Sequence, residues 1–202
     1  MFRNTIRIAI AALVTATAAL APAAAQAKPK HCQPQGSHTL ASNNYARVYG
    51  QNGKAYVCIK SSGKKTLLAN ATPGTDKFTL GGKYVGWTST DPTDSTQPPN
   101  DVITVMHIPD HALATNYYPF ITNERVDKLV VVSDGAAAWA ITPLPNDDTG
   151  GPIIQGTDRQ GHPPDQFSDD SKTLLTTSLH VIGGKTIGWS YSDGSTGTQV
   201  LY

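Results

Sequence analysis

All three tryptophans of this chain sit in one recurring phrase, and that phrase constrains the fold more than any other feature. The first copy is Gly81-Gly82-Lys83-Tyr84-Val85-Gly86-Trp87 and the last is Gly183-Gly184-Lys185-Thr186-Ile187-Gly188-Trp189. A shorter copy, Asp134-Gly135-Ala136-Ala137-Ala138-Trp139, lies between them. A degenerate fourth, Asn52-Gly53-Lys54-Ala55-Tyr56-Val57-Cys58, carries cysteine in the tryptophan position. Trp87 and Trp139 are 52 residues apart, and Trp139 and Trp189 are 50 apart. Periods of this size mark propeller blades or other stacked modules.

Each copy reads as strand, turn, strand. Asn-Gly, Asp-Gly and Gly-Gly supply the positive φ angles of tight hairpins. Before the turns come runs rich in β-branched and aromatic residues: Ala46–Tyr49, Lys77–Leu80, Leu129–Val132 and Ser178–Val181. After them come the runs ending at Cys58, Trp87, Trp139 and Trp189. A third strand follows each hairpin, at Lys65–Leu68, Val102–Ile108, Pro152–Gln155 and Thr198–Leu201. The expected fold is therefore all-β: four three-stranded antiparallel meanders over 45–69, 77–108, 126–155 and 178–202. An isolated hairpin cannot bury its face, so the meanders must pack on one another. The shared position of Trp87, Trp139 and Trp189 assigns them to the repeat core. The Gly or Ala before each of them leaves room for a neighbouring sheet. No long helical period exists, and Ala112–Tyr118 reads as one short helical turn.

The N-terminus carries an export signal. Arg3 and Arg7 precede an uncharged apolar stretch, Ile8 to Leu20, and Ala25-Gln26-Ala27 fits the small-x-small cleavage site. A cut after Ala27 makes residues 1–27 the signal peptide, 28–44 a polar, loop-like arm and 45–202 the β-repeat domain. The apolar stretch is shorter than the roughly 20 helical residues that cross a bilayer. Of 202 residues, 175 remain after cleavage, enough for one domain with a core. Without Arg3 and Arg7, 14 basic residues face 15 acidic ones, a formal charge of −1. No basic block exists to neutralise phosphates, so nucleic acid is excluded as a partner, and no second segment reaches membrane-spanning length. Export exposes Cys32 and Cys58 to oxidising conditions, and they are expected to form a structural disulfide that staples the arm to a strand. The localisation expected is secreted, with no membrane association after cleavage.

The phrase Leu80 to Ser89, followed by Asp101-Val102-Ile103-Thr104-Val105, resembles a blade of TolB-type β-propeller repeats. It is also similar to secreted actinobacterial proteins of unknown function that carry degenerate repeats of this kind. The resemblance touches most of residues 45–202 and implies a propeller-like interaction scaffold. A usual blade has four strands, whereas three are legible here, in only four unevenly spaced copies. An incomplete propeller or a β-sandwich fits the same pattern.

No catalytic motif is complete. Gly188-Trp189-Ser190-Tyr191-Ser192 lacks the final glycine of a nucleophile elbow. Ser61-Ser62-Gly63-Lys64-Lys65 contains S-x-x-K twice, but in a hairpin loop rather than on a helix. His107 and His111 have zinc-ligand spacing for a helix, yet Pro109 lies between them. They read as loop histidines, and with Asp110 are the first suspects for a transition metal. Asp147-Asp148 and Asp165, Asp169 and Asp170 could offer hard oxygens to calcium but follow no known loop pattern. Tyr117 and Tyr118, beside Pro119 and Phe120, are candidates for an exposed aromatic patch. The function expected is a secreted, non-enzymatic β-repeat domain that binds a protein or an extracellular glycan through one loop face, with no cofactor. The alternatives are a secreted hydrolase with a loop-built Asp/His site and a module that pairs with itself through an open sheet edge.

Overall fold

The structure is a computed structural model that describes residues 32–90, 101–117, 124–143, 151–158, 160, 162 and 165–202. The expected leader, Tyr118 and the Asp147-Asp148 pair lie outside these residues. The described chain is all-β apart from one short 3-10 turn, with four small antiparallel sheets. Sheet 1 comprises β1 (His38–Ser42), β2 (Ala46–Gln51), β3 (Lys54–Ile59) and β4 (Lys65–Leu67). Sheet 2 comprises β5 (Phe78–Gly81), β6 (Tyr84–Thr90), β7 (Asp101–His107) and β8 (Leu113–Tyr117). Sheet 3 comprises β9 (Glu124–Val131), β10 (Ala137–Pro143), β11 (Ile153–Thr157) and β12 (Asp165–Gln166). Sheet 4 has only β13 (His180–Gly183), β14 (Thr186–Ser190) and β15 (Thr196–Val200).

Three differences from the sequence reading have physical causes. The arm is not all loop, because it contains β1. Asn43 makes the turn, its Oδ1 accepting the N–H groups of Tyr45 (2.9 Å) and Ala46 (2.8 Å), which returns the chain antiparallel without any glycine. The Asn52–Cys58 copy is consequently one strand out of step. It is the second hairpin of sheet 1, whereas the tryptophan phrases form the first hairpins of their sheets. Tyr49, the fourth residue of β2, occupies the place that Trp87 and Trp189 hold in β6 and β14. The expected helical turn at Ala112–Tyr118 is instead β8, recruited by the unpaired edge of β7.

The sheets stack face to face in chain order. One core lies between sheets 1 and 2, around Val48, Val57, Val85 and Trp87. A second lies between sheets 2 and 3, around Ile103, Val105, Leu129 and Trp139. A third lies between sheets 3 and 4, around Val130, Ala138, Ile187 and Trp189. Each tryptophan is thus buried against the sheet that precedes its own. The small residue before it faces the sheet that follows. A Cβ at Gly86 would lie 2.6 Å from the Val131 methyl of sheet 3, and Ala138 is buried against sheet 4. The glycines at the first turns have two roles. Gly82 (φ +54°) and Gly184 (φ +55°) make the reversals, while a Cβ on Gly81 would strike the backbone carbonyls of Val131 and Val132.

The first hairpin turns interlock from sheet to sheet. Asn43 Nδ2 donates to the Gly82 carbonyl at 2.9 Å, the Gly82 turn sits on Ser133, and Lys185 Nζ reaches Asp134 Oδ2 at 2.6 Å. The leading strands run side by side, β1 by β5, β5 by β9 and β9 by β13, so they line the inner side of the stack.

Candidate functional site

Those leading strands meet around a cavity of about 520 Å³, open to solvent, at the end of the stack away from the interlocked turns. Sheet 1 contributes Leu40 from β1, and sheet 2 contributes the segment from Gly74 to Thr79 that leads into β5. Sheet 3 contributes Lys128, Leu129 and Val130 from β9, and sheet 4 contributes Leu179, His180 and Val181. The lining is mixed. Leu40, Phe78, Val130, Leu179 and Val181 are apolar, while Thr75, Asp76, Lys77, Thr79, Lys128 and His180 bring polar or ionisable groups. A pocket with an apolar floor and a few convergent polar groups is the usual form of a small-molecule site.

Asp76 is fixed by its own loop. Its Oδ2 accepts the Thr72 N–H at 2.6 Å, and its Oδ1 accepts the Thr75 hydroxyl at 3.3 Å. Burial pushes its carboxyl above the usual carboxylate range despite both hydrogen bonds. Asp101, at the start of β7, ties sheet 2 to sheet 3 by accepting the Val126 N–H at 2.9 Å. Its carboxyl is also raised, chiefly by burial and further by the negative charge of Asp76, against the opposing pull of the Val126 bond, Arg125 and Lys77. His180 Nδ1 lies 2.8 Å from the Ser178 carbonyl, which can only accept. Nδ1 therefore carries the proton, and Nε2 keeps a lone pair when the ring is neutral.

The residues singled out from the sequence lie elsewhere. His107 ends β7, its Nδ1 2.9 Å from Asp110 Oδ1 and its ring tilted against the Tyr84 ring. His111 sits at φ 62° in the following turn and meets Thr66 Oγ1 through Nε2 at 2.8 Å. The two imidazoles thus serve different partners, and neither lines the cavity. Among the described residues no group of three His, Cys, Asp or Glu side chains is placed to hold a metal ion. Asp169 accepts two bonds from Ser171, and Asp170 accepts one from Gln166, so both act within their own loop. Ser61 to Lys64 lies in the turn between β3 and β4, Lys65 opens β4, and Ser190 lies on β14 before the buried Tyr191. The tryptophans are buried, Trp139 completely, so no indole face is presented to a sugar.

Cys32 and Cys58 are joined in a disulfide. The arm it anchors covers the face of sheet 1 that points away from sheet 2. Tyr49 and Cys58 are buried beneath it. Arg47, also buried, reaches up from the same face. Its guanidinium donates to the Cys32 carbonyl, to Thr39 Oγ1 at 2.8 Å and to Ser37 Oγ at 3.4 Å, with the Tyr49 ring alongside. No sequence motif marked Leu40, Asp76, Lys128 or His180, which are far apart in the chain. Their only shared signal is position on, or just before, the leading strand of each sheet. Among the described residues no helix is long and apolar enough to cross a membrane. No protein-family model matches the chain, and no curated protein matches it.

Proposed function

We propose that this chain is a secreted, non-enzymatic binding domain of propeller-like build, and that it takes an extracellular glycan or a short segment of a partner protein in the axial cavity. The observation that carries this reading is the convergence of the leading strands of all four sheets on one open cavity. In a propeller-like stack that is the axis, where rigid strands hold side chains from distant parts of the sequence. The disulfide supports the secreted assignment, since such bonds persist in oxidising compartments.

The reading is tested by thermal melting of the disulfide-intact protein against cell-wall and extracellular oligosaccharides. A glycan at about 100 times its dissociation constant adds roughly 2.7 kcal/mol, a rise of several degrees. The rise should vanish in Val181→Trp, which fills the cavity from an exposed position. A rise that survives Val181→Trp places the ligand elsewhere, and no rise with any glycan removes the glycan reading. The competing reading, a hydrolase, is favoured by one observation: Asp76, with its raised carboxyl, and His180 line the same cavity. Turnover of any oligosaccharide that is lost in Asp76→Asn would replace the binding reading.

A further inference from the structure

The lining of the axial cavity is unevenly charged. Its ionisable side chains are Asp76, Lys77, Lys128 and His180. Asp76 is the one carboxylate among them, and its own loop engages both oxygens, Oδ2 through the Thr72 N–H at 2.6 Å and Oδ1 through the Thr75 hydroxyl at 3.3 Å. The two lysines have no such partner. The ion pairs among the described residues are His107–Asp110, His162–Asp158 and Lys185–Asp134, and none of them includes Lys77 or Lys128. Asp101 lies outside the lining, bonded to the Val126 N–H, and feels Arg125 and Lys77 only through their charge. With His180 neutral, two ammonium groups against one carboxylate leave the lining one positive charge in excess.

Both lysines stand on paired backbone. Lys77 precedes β5, where its N–H donates to Thr88 Oγ1 at 2.9 Å and its carbonyl accepts the Thr88 N–H at 3.1 Å. Lys128 lies on β9 opposite Ala140 of β10. Neighbouring sheets thus each bring one ammonium group to the same opening. Apolar walls, here Leu40, Phe78, Leu179 and Val181, focus the field of such charges into a cleft and favour an anion within it. Thr75 and Thr79 add hydroxyls to the lining. A sugar ring that carries a carboxylate matches all three features. Its C–H face suits the apolar wall, its hydroxyls suit the threonines, and its carboxylate suits the ammonium groups.

We propose that the axial cavity binds an acidic sugar, a uronic-acid unit of an extracellular polysaccharide, whose carboxylate is held by the ammonium groups of Lys77 and Lys128. The proposal rests on the binding reading of the cavity and narrows it from glycans in general to carboxylated ones. The contact is charge-assisted and open to solvent, so affinity falls as salt rises. A neutral sugar of the same shape loses the attraction of both lysines. A peptide rich in Asp or Glu offers carboxylates without ring hydroxyls, which makes the sugar the better match to Thr75 and Thr79.

Titration calorimetry of the disulfide-intact chain at low salt tests this, with short oligosaccharides of galacturonic, glucuronic and mannuronic acid, each beside its carboxyl-reduced form. At least one acidic oligosaccharide should bind, and its reduced form should bind about tenfold more weakly or worse. Lys77→Gln and Lys128→Gln, each checked for an unchanged melting temperature, should weaken the acidic form by a similar factor. Either variant decides the matter if the other fails to fold. Lys83→Gln, beside the Tyr45 ring and outside the cavity, should leave it unchanged. Equal affinity for acidic and reduced forms, abolished in both by Val181→Trp, overturns the acidic-sugar proposal and keeps the cavity reading. Binding that needs the carboxylate but survives both lysine substitutions overturns the proposal. So does silence from every acidic oligosaccharide, or lysine-dependent binding of an oligoglutamate peptide in their place. Binding that is lost in the lysine variants yet indifferent to Val181→Trp removes the cavity reading together with the proposal.

Discussion

The outward faces of sheet 1 and sheet 4 hold equivalent places at opposite ends of one stack, and they solve the same problem in opposite ways. In sheets 2, 3 and 4 the aromatic of the second strand is buried against the preceding sheet. Among the described residues no sheet precedes sheet 1, yet Tyr49 in that position is as buried as the tryptophans. Its cover is the arm, held by a covalent bond at Cys32 and by the Arg47 guanidinium. Among the described residues neither a sheet nor an arm covers the outward face of sheet 4, where Ile182 and Val200 stay exposed. The difference shows that a terminal repeat can be capped by a short irregular segment, provided that segment is fastened at more than one point. A polar arm with little apolar surface cannot hold itself down by burial alone.

That contrast can be broken most strongly at the fastening. Removing the disulfide in a Cys32→Ser, Cys58→Ser variant should cost about 3 kcal/mol. For a domain of this size the melting temperature should fall by roughly 6–12 °C, as read by calorimetry. Arg47→Met keeps the bulk over Tyr49 but leaves the Cys32 carbonyl and Thr39 hydroxyl without their donor. It should cost about 2 kcal/mol, read by urea denaturation. On the bare face, Val200→Thr should change stability by less than about 0.5 kcal/mol in the same assay. A large loss there would mean that the face is covered after all.

The sharpest small effect is in pH. Asp101 binds its proton more tightly in the folded state than in the unfolded chain, because burial and Asp76 raise its carboxyl. The folded protein therefore holds more protons in the window above the ordinary carboxylate value. Stability should fall as pH rises through that window and should level off above the raised value. Asp101→Asn keeps an acceptor for the Val126 N–H and should flatten this slope, seen as melting temperature against pH. Asp134 has the opposite sign. Its own burial would raise it, but the Lys185 ammonium and the Ala136 N–H hold it below the usual range. Its contribution is present above the ordinary carboxylate value and is lost as pH falls through the lowered one. Asp134→Asn should cost less than about 1 kcal/mol at neutral pH.

Much of this architecture was legible from the glycine turns and the tryptophan spacing, which locate the first hairpins of sheets 2, 3 and 4 and their third strands. The same reasoning put sheet 1 one strand out of step. Its first turn is made by an asparagine side chain rather than by glycine, and its aromatic is Tyr49, not tryptophan. The usable signal was the position of Tyr49, the fourth residue of the Ala46–Tyr49 run that follows Asn43-Asn44. The strand β8 was missed because Leu113 to Tyr117 carries weak local preference, and the free edge of β7 decides its conformation. The cavity was not legible at all. Leu40, Asp76, Lys128 and His180 are joined by stacking order, and no local pattern in the sequence encodes that.

The claim that the arm stands in for an absent sheet is tested most directly by hydrogen exchange, followed by mass spectrometry, before and after reduction of the Cys32–Cys58 bond. The account predicts that reduction speeds exchange in β1, β2 and β3 and leaves β9, β10 and β14 as they were. Equal acceleration in every sheet, or none in sheet 1, would contradict it.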